Sequence, residues 1–231
     1  MAVDYGFDLH FDFSGIALPR YIAIEGPIGV GKTTLAKHLA HTFNYETLLE
    51  QAEANPFLER FYTDPRASAL PTQLFFLFQR SKQLQALRQA DMFAPVRVAD
   101  FLLEKDPLFA QVTLDDDELR LYNQVYEQIT VDAPTPDLVI FLQAPIDILL
   151  DRIRKRGVAA ERHIDADYLA SLNDAYTRFF HYYDSAPLLI VNATEIDLAG
   201  NAEHYAQLVE YMLTINSGRH YYNPHHNQSR G

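Results

Sequence analysis

The sequence predicts an α/β fold in which a five-stranded parallel sheet carries helices on both faces and is closed by an arginine-bearing lid. Three observations predict it. Short apolar runs alternate with longer stretches of helical periodicity, the pattern of a parallel sheet buried on both sides. A glycine-rich run, Gly26-Pro27-Ile28-Gly29-Val30-Gly31-Lys32-Thr33-Thr34, stands between the first strand and the first helix. A cationic helix end, Arg152-Ile153-Arg154-Lys155-Arg156, leads into Gly157.

The elements follow in order. Residues 1–18, with Asp4, Asp8 and Asp12 scattered among aromatics, form an N-terminal extension. Tyr21-Ile22-Ala23-Ile24-Glu25 is the first strand, and Leu35, Ala36, Leu39, Ala40 and Phe43 make the apolar stripe of the helix behind it. Residues 46–50 and 96–101 read as the second and third strands. Leu138-Val139-Ile140-Phe141-Leu142, after Pro134-Thr135-Pro136, is the fourth, and Leu188-Leu189-Ile190-Val191 the fifth. Helical stretches lie near 71–90, 115–131, 145–156, 165–182 and 201–214. In the first of these Leu74, Leu77, Phe78, Ser81 and Leu84 share a stripe expected to be core. The run 216–231 is polar, without apolar periodicity, and is expected to be a loosely ordered tail, which leaves 19–215 as the working domain. There is no internal repeat.

Composition narrows the function. A chain of 231 residues with 48% hydrophobic content supports one α/β domain with a sizeable core. A net charge of -12 argues against a nucleic-acid partner, which needs clustered cations. With no cysteine, disulfides, thiolate catalysis and Cys-based zinc sites are excluded. The first nineteen residues hold no Lys or Arg and resemble neither a secretory signal nor a transit peptide, so the expected location is the cytoplasm. No segment reaches transmembrane length, so no membrane partner is expected.

The glycine-rich run fits G-x-x-x-x-G-K-[ST] in the strand-then-helix context of a phosphate-binding loop. Gly26, Gly29 and Gly31 let backbone N–H groups turn inward around phosphate oxygens, and the helix adds its positive dipole end. Gly26, Gly29, Val30, Gly31, Lys32, Thr33 and Thr34 are therefore the candidate ATP site, with Lys32 reaching the β- and γ-phosphates and the Thr33 hydroxyl on Mg²⁺. Ligands in such sheets sit at the C-terminal strand edges, where Glu50 and Asp100 arrive. Glu50 suits a proton acceptor and Asp100 a Mg²⁺ ligand, direct or through water. Gln73, Phe76 and Arg80 project from one helix face. They form either a base-reading surface, an amide beside an aromatic plane, or a solvated stripe with one exposed Phe. Arg152 and Arg156 suit a lid closing over phosphates, with a helix end whose cations complement its dipole as the lesser alternative.

The runs Gly26 to Thr34, 50–62 and 70–80, and Arg152 to Arg156 with Glu161, together resemble the deoxynucleoside kinase family over most of residues 20–195. The likeness is to bacterial deoxyadenosine and deoxyguanosine kinases. It implies a P-loop kinase fold, a homodimer, and transfer of the ATP γ-phosphoryl group to the 5′-hydroxyl of a deoxynucleoside. By this resemblance Glu50 is the base, Tyr62 and Glu161 hold the sugar 3′-hydroxyl, Gln73 binds the nucleobase and Arg156 belongs to the lid. Gln73 and Arg80 resemble the polar pair of members that accept purines or cytosine, with Asp106 as the carboxylate partner of Arg80 and Phe109 as the stacking aromatic. Aligning Phe109 there implies one residue deleted after Asp100, which moves Asp106 out of register. A purine deoxynucleoside is the expected substrate.

Two departures stand out. After its third strand the family has an acidic residue followed by Arg and Ser, whereas this chain reads Asp100-Phe101-Leu102-Leu103-Glu104-Lys105-Asp106. The arginine is missing, and Lys105, Arg97 and Arg162 are the candidates to replace it. A second lid arginine is Val158 here, with Arg162 beside Glu161 as a possible substitute. Rival readings are a thymidylate-kinase-type nucleoside monophosphate kinase, a GTPase switch, and a catalytically inactive nucleotide-binding relative. The first is disfavoured by Glu50 at a strand end. The second is disfavoured because Asp197-Leu198-Ala199-Gly200 comes after the fifth strand and no N-K-x-D occurs.

Overall fold

The computed structural model describes residues 7, 9–89, 97–129, 134–197 and 200–224. Asp4, Asp8, Val96 and the chain beyond residue 224 lie outside the described residues. Six strands form one parallel sheet: β1 (Tyr21–Glu25), β2 (Glu46–Leu48), β3 (Arg97–Ala99), β4 (Leu138–Gln143), β5 (Leu188–Asn192) and β6 (Arg219–Tyr222), in the order β2-β3-β1-β4-β5-β6. The helices are α1 (Lys32–Phe43), α2 (Leu58–Thr63), α3 (Pro65–Gln89), α4 (Asp106–Thr113), α5 (Asp116–Ile129), α6 (Ile146–Arg156), α7 (Ala166–Tyr182) and α8 (Ala202–Met212). Alternation along the strands divides the core. Ile22, Ile24, Ile140 and Leu189 pack with Leu35 and Leu39 of α1 and Leu208 of α8, while Ala23, Val139 and Phe141 pack with Leu172, Tyr176 and Phe180 of α7.

The sheet has six strands rather than the expected five. β6 falls within the run expected to be a tail, where a four-residue strand carries no periodicity to read. It is fixed instead by a turn at Gly218 (φ 77°), by burial of Tyr222, and by Arg219, whose Nη2 donates to the carbonyls of Phe180, His181 and Tyr183 at 2.9, 2.8 and 3.2 Å. These carbonyls close the C-terminal end of α7, where cations are favoured.

β2 and β3 are shorter than their sequence patterns. Beyond Leu48 the ladder continues through a side chain: the Asp100 amide donates to the Leu48 carbonyl at 3.2 Å, and the Glu50 amide donates to Asp100 Oδ1 at 2.7 Å. α3 begins at Pro65, not near residue 71; Pro65 takes the first helical position and Pro71 is carried inside. Phe78 corrects the expected core stripe, being 54% exposed, because the buried arc of α3 runs through Gln73, Phe76, Leu77, Arg80, Ser81 and Leu84. The extension also packs: Phe7 stacks on His38 with ring centroids 4.8 Å apart, and Phe13 tilts on Phe43 at 5.2 Å. Among the described residues no helix is long and apolar enough to cross a membrane.

Candidate active site

The phosphate-binding loop joins β1 to α1 in the geometry its glycines require. Gly26 has φ 149°, and a Cβ there would lie 2.5 Å from the Leu142 carbonyl; at Gly29 (φ 84°) it would lie 2.8 Å from Ile153 Cγ1. Only glycine allows β4 and α6 so close. Lys32 Nζ donates to the carbonyls of Gly26 and Pro27 at 2.7 and 3.2 Å. Burial lowers the Lys32 ammonium to about 8, helped by Lys105, against the pull of Glu25, Glu50 and Asp100. A cavity of about 460 Å³ spreads over the loop, lined by Gly29 to Thr34, by Arg152 and Arg156, and by 193–197 after β5. Sequence reasoning missed the last segment, although its place at the C-terminal edge of a strand was a signal. Arg152 faces inward, donating to the Val30 and Ala193 carbonyls at 3.3 and 2.8 Å. It ties the loop to that segment.

Thr33 Oγ1 donates to Asp100 Oδ2 at 2.5 Å, and burial raises the Asp100 carboxyl above its ordinary range. A hydroxyl and a carboxylate side by side at a phosphate loop suit Mg²⁺, which takes oxygen ligands and keeps several from phosphate and water. No cluster of three or more His, Cys, Asp or Glu suited to a metal occurs among the described residues.

Beside the loop lies a buried charge cluster. Arg80 (4% exposed) donates through Nη2 to Glu50 Oε2 at 2.8 Å and through Nη1 to Asp106 Oδ1. Burial alone would raise Glu50, but Arg80, Lys105 and Lys32 overcome it and hold the carboxyl at about 2. Asp106 responds the other way: burial lifts it to about 6 despite Arg80 and Lys105. Its Oδ2 is buried without a hydrogen-bond partner. Glu25, fully buried, anchors the cluster from the end of β1. Its Oε1 accepts from the Gly26 amide (3.0 Å), Lys105 Nζ (3.1 Å) and the Tyr176 hydroxyl (2.8 Å), and its Oε2 from the Leu102 amide (2.9 Å). Sequence reasoning passed over Glu25; a charge closing an apolar strand just before Gly26 was the available signal.

Gln73, Phe76 and Arg80 are all at least nine-tenths buried, so they are not a solvated stripe. Gln73 Nε2 donates to Thr113 Oγ1 at 3.2 Å, and the Phe76 ring lies under the Arg80 guanidinium at 4.9 Å. Phe109 meets Tyr176 edge-on at 5.9 Å. α4 brings Asp106 to Arg80 without the register the sequence seemed to need. Tyr62 on α2 packs near Tyr168, and burial raises its phenol well above 10, with Glu161 and Glu50 adding to the rise. Glu161 sits in the 3₁₀ turn Ala159–His163 and accepts from Arg156 Nη2 at 2.5 Å. Lys32 of the loop helps hold Glu50 ionised, and Arg156, which lines the loop cavity, pairs with Glu161, so the loop, the buried carboxylates and the 3₁₀ turn are neighbours.

A family model described as deoxynucleoside kinase matches residues 22–215. The chain belongs to the deoxynucleoside kinase family. A Bacillus subtilis (strain 168) deoxyguanosine kinase is 39% identical over 160 residues, covering 68% of this chain and 76% of the relative. A Lactobacillus acidophilus deoxyadenosine kinase is 29% identical over 79% of this chain and 89% of its own. Among solved structures, a deoxyadenosine kinase from M. mycoides with bound dATP superposes with a TM-score of 0.71 at 29% identity, covering 82% of this chain and 98% of that one. This deoxynucleoside kinase is therefore an enzyme of ATP-dependent deoxynucleoside phosphorylation, and the monophosphate-kinase and GTPase readings are not favoured.

Proposed function

We propose that the enzyme transfers the γ-phosphoryl group of MgATP to the 5′-hydroxyl of a purine deoxynucleoside, with Glu50 as general base. The observation that carries this reading is Glu50 held ionised at a strand end between the phosphate loop and the buried Gln73–Arg80–Asp106 surface. A base must be within reach of the proton it takes and free of it beforehand. Arg80 and Lys105 both approach Oε2, which leaves Oε1 to receive the hydroxyl proton. As the bond from O5′ to the γ-phosphorus forms, the bond to the ADP oxygen breaks in line with it. Lys32 and Arg156 neutralise charge on the phosphoryl oxygens, and Gly29, Val30, Gly31 and Thr34 supply loop contacts to ATP. Thr33 and Asp100 would hold Mg²⁺, which would supply charge neutralisation at the phosphates. Tyr62 and Glu161 bind the sugar 3′-hydroxyl, while Phe76 and Phe109 flank the nucleobase.

Purine preference is supported by the deoxyguanosine and deoxyadenosine kinases among the relatives and by the wide donor and acceptor capacity of Gln73, Arg80 and Asp106. Family membership also supports a cytoplasmic homodimer with neither nucleic-acid nor membrane partners, and a division into extension (1–18) and kinase domain (19–215), whose sheet takes its sixth strand from the C-terminal run (216–231). The test is ADP formation from MgATP with the four deoxynucleosides, their ribonucleosides and the monophosphates. Fastest turnover with deoxyadenosine or deoxyguanosine is expected. Turnover with thymidine alone would overturn the purine assignment, and turnover with monophosphates alone the whole reading.

A further inference from the structure

Three cations were open as substitutes for the arginine missing after Asp100, and geometry separates them. Arg97 lies at the opposite end of β3, with Nη2 3.3 Å from Glu46. Arg162 is exposed in the turn Ala159–His163. Lys105 is 2% exposed, in the 3₁₀ turn Leu103–Lys105 that leads into α4. Its Nζ is 3.1 Å from Glu25 Oε1, 3.7 Å from Glu50 Oε2 and 5.2 Å from the centre of the Phe109 ring.

We propose that Lys105, seated on Glu25, is the positioning residue for Glu50 and supplies the charge of the missing arginine. The inference rests on Glu50 being the base, as proposed above. Glu25 is fixed by three donors besides Lys105, the Gly26 amide of the phosphate loop, the Leu102 amide after β3 and the Tyr176 hydroxyl of α7, so the ammonium it holds is fixed as well. At 3.7 Å Lys105 lies beyond hydrogen-bond distance of Glu50 and stabilises its charge without occupying a lone pair. Arg80 cannot do this alone, because its guanidinium is divided between Glu50 and Asp106. The Gly26 amide on Glu25 further links the seat of the cation to the first residue of the phosphate loop. Donor and acceptor sides are thus registered through one carboxylate.

The groups facing Glu50 are Arg80 from α3, Lys105 from the turn before α4 and Lys32 from α1. Against them stand Glu25 from β1, Asp100 after β3, Asp106 from α4 and the Tyr62 and Tyr176 phenols. Removing Lys105 subtracts one of the three cations that hold Glu50.

The experiment measures kcat and the deoxynucleoside KM for wild type, Glu50→Gln, Lys105→Met, Lys105→Arg, Glu50→Gln/Lys105→Met and Glu25→Gln/Lys105→Met. The last leaves no lone buried carboxylate and carries the test if Lys105→Met does not fold. For Lys105→Met, kcat should fall roughly 10- to 100-fold, within the span of a positioned base, while KM changes by less than about threefold. Lys105→Arg should restore most of kcat, and Lys105→Met should cost little more once Glu50 is already Gln, since residues that act through one another do not add. An unchanged kcat in folded Lys105→Met or Glu25→Gln/Lys105→Met overturns the inference, as does a full additive loss in Glu50→Gln/Lys105→Met. If Glu50→Gln keeps the wild-type kcat, the proposed base fails; if Glu50→Gln falls and Lys105→Met does not, the inference alone fails.

Discussion

The phosphate-binding loop and the charge cluster beside it both manage concentrated charge, but they are built differently. The loop is nine consecutive residues whose backbone, bent at Gly26 and Gly29, does the binding. The cluster gathers Glu25, Glu50, Arg80 and the neighbours Lys105 and Asp106 from four separate stretches of chain, and ion pairs between side chains join them. The difference teaches that a local backbone device is robust in chemistry and fragile in shape. A dispersed side-chain device is the reverse.

Substitutions sharpen that contrast from its strongest point downward. Glu50→Gln keeps shape and removes the proposed proton acceptor, so kcat should fall by roughly 10²–10⁴ with deoxynucleoside affinity little changed. Steady-state kinetics beside direct binding checks this, and an equal loss of affinity would show that Glu50 only binds. In the loop, Gly26→Ala adds one methyl group in a positive-φ position against the Leu142 carbonyl. It should cost about 2–4 kcal/mol of stability in urea unfolding. A neutral outcome would mean the loop tolerates side chains and the contrast is false. Tyr62→Phe removes a hydroxyl and almost no volume. Discrimination against 3′-deoxy substrates should weaken by roughly 3- to 10-fold, the value of one hydrogen bond, in competition assays. Unchanged discrimination would make Tyr62 a packing residue.

The same contrast explains what the sequence could tell. The loop, the strands β1, β4 and β5 and the arginine-rich end of α6 were legible because their signals are contiguous. Lys105 was visible only as one of three candidates, since proximity to Glu50 arises from the fold and not from spacing. Asp106 looked out of register with Arg80 because the short helix α4, which resets the distance, has no long periodicity. Phe78 was misassigned to the core because on α3 the inner face is partly polar: Gln73 and Arg80 occupy positions that a hydrophobic stripe would claim. β6 has a different cause, being held by Arg219 on the carbonyls at the end of α7 and not by an apolar pattern.

Arg219 has a wider consequence. The helix whose end it clasps also carries Tyr176, whose hydroxyl helps fix Glu25, and Glu25 seats Lys105. The outermost strand is thereby a stay for the centre, like a guy rope that steadies a mast from the edge of the deck. Fraying at that rim is no private event of the periphery, because slack there passes along α7 to the buried carboxylate that seats Lys105.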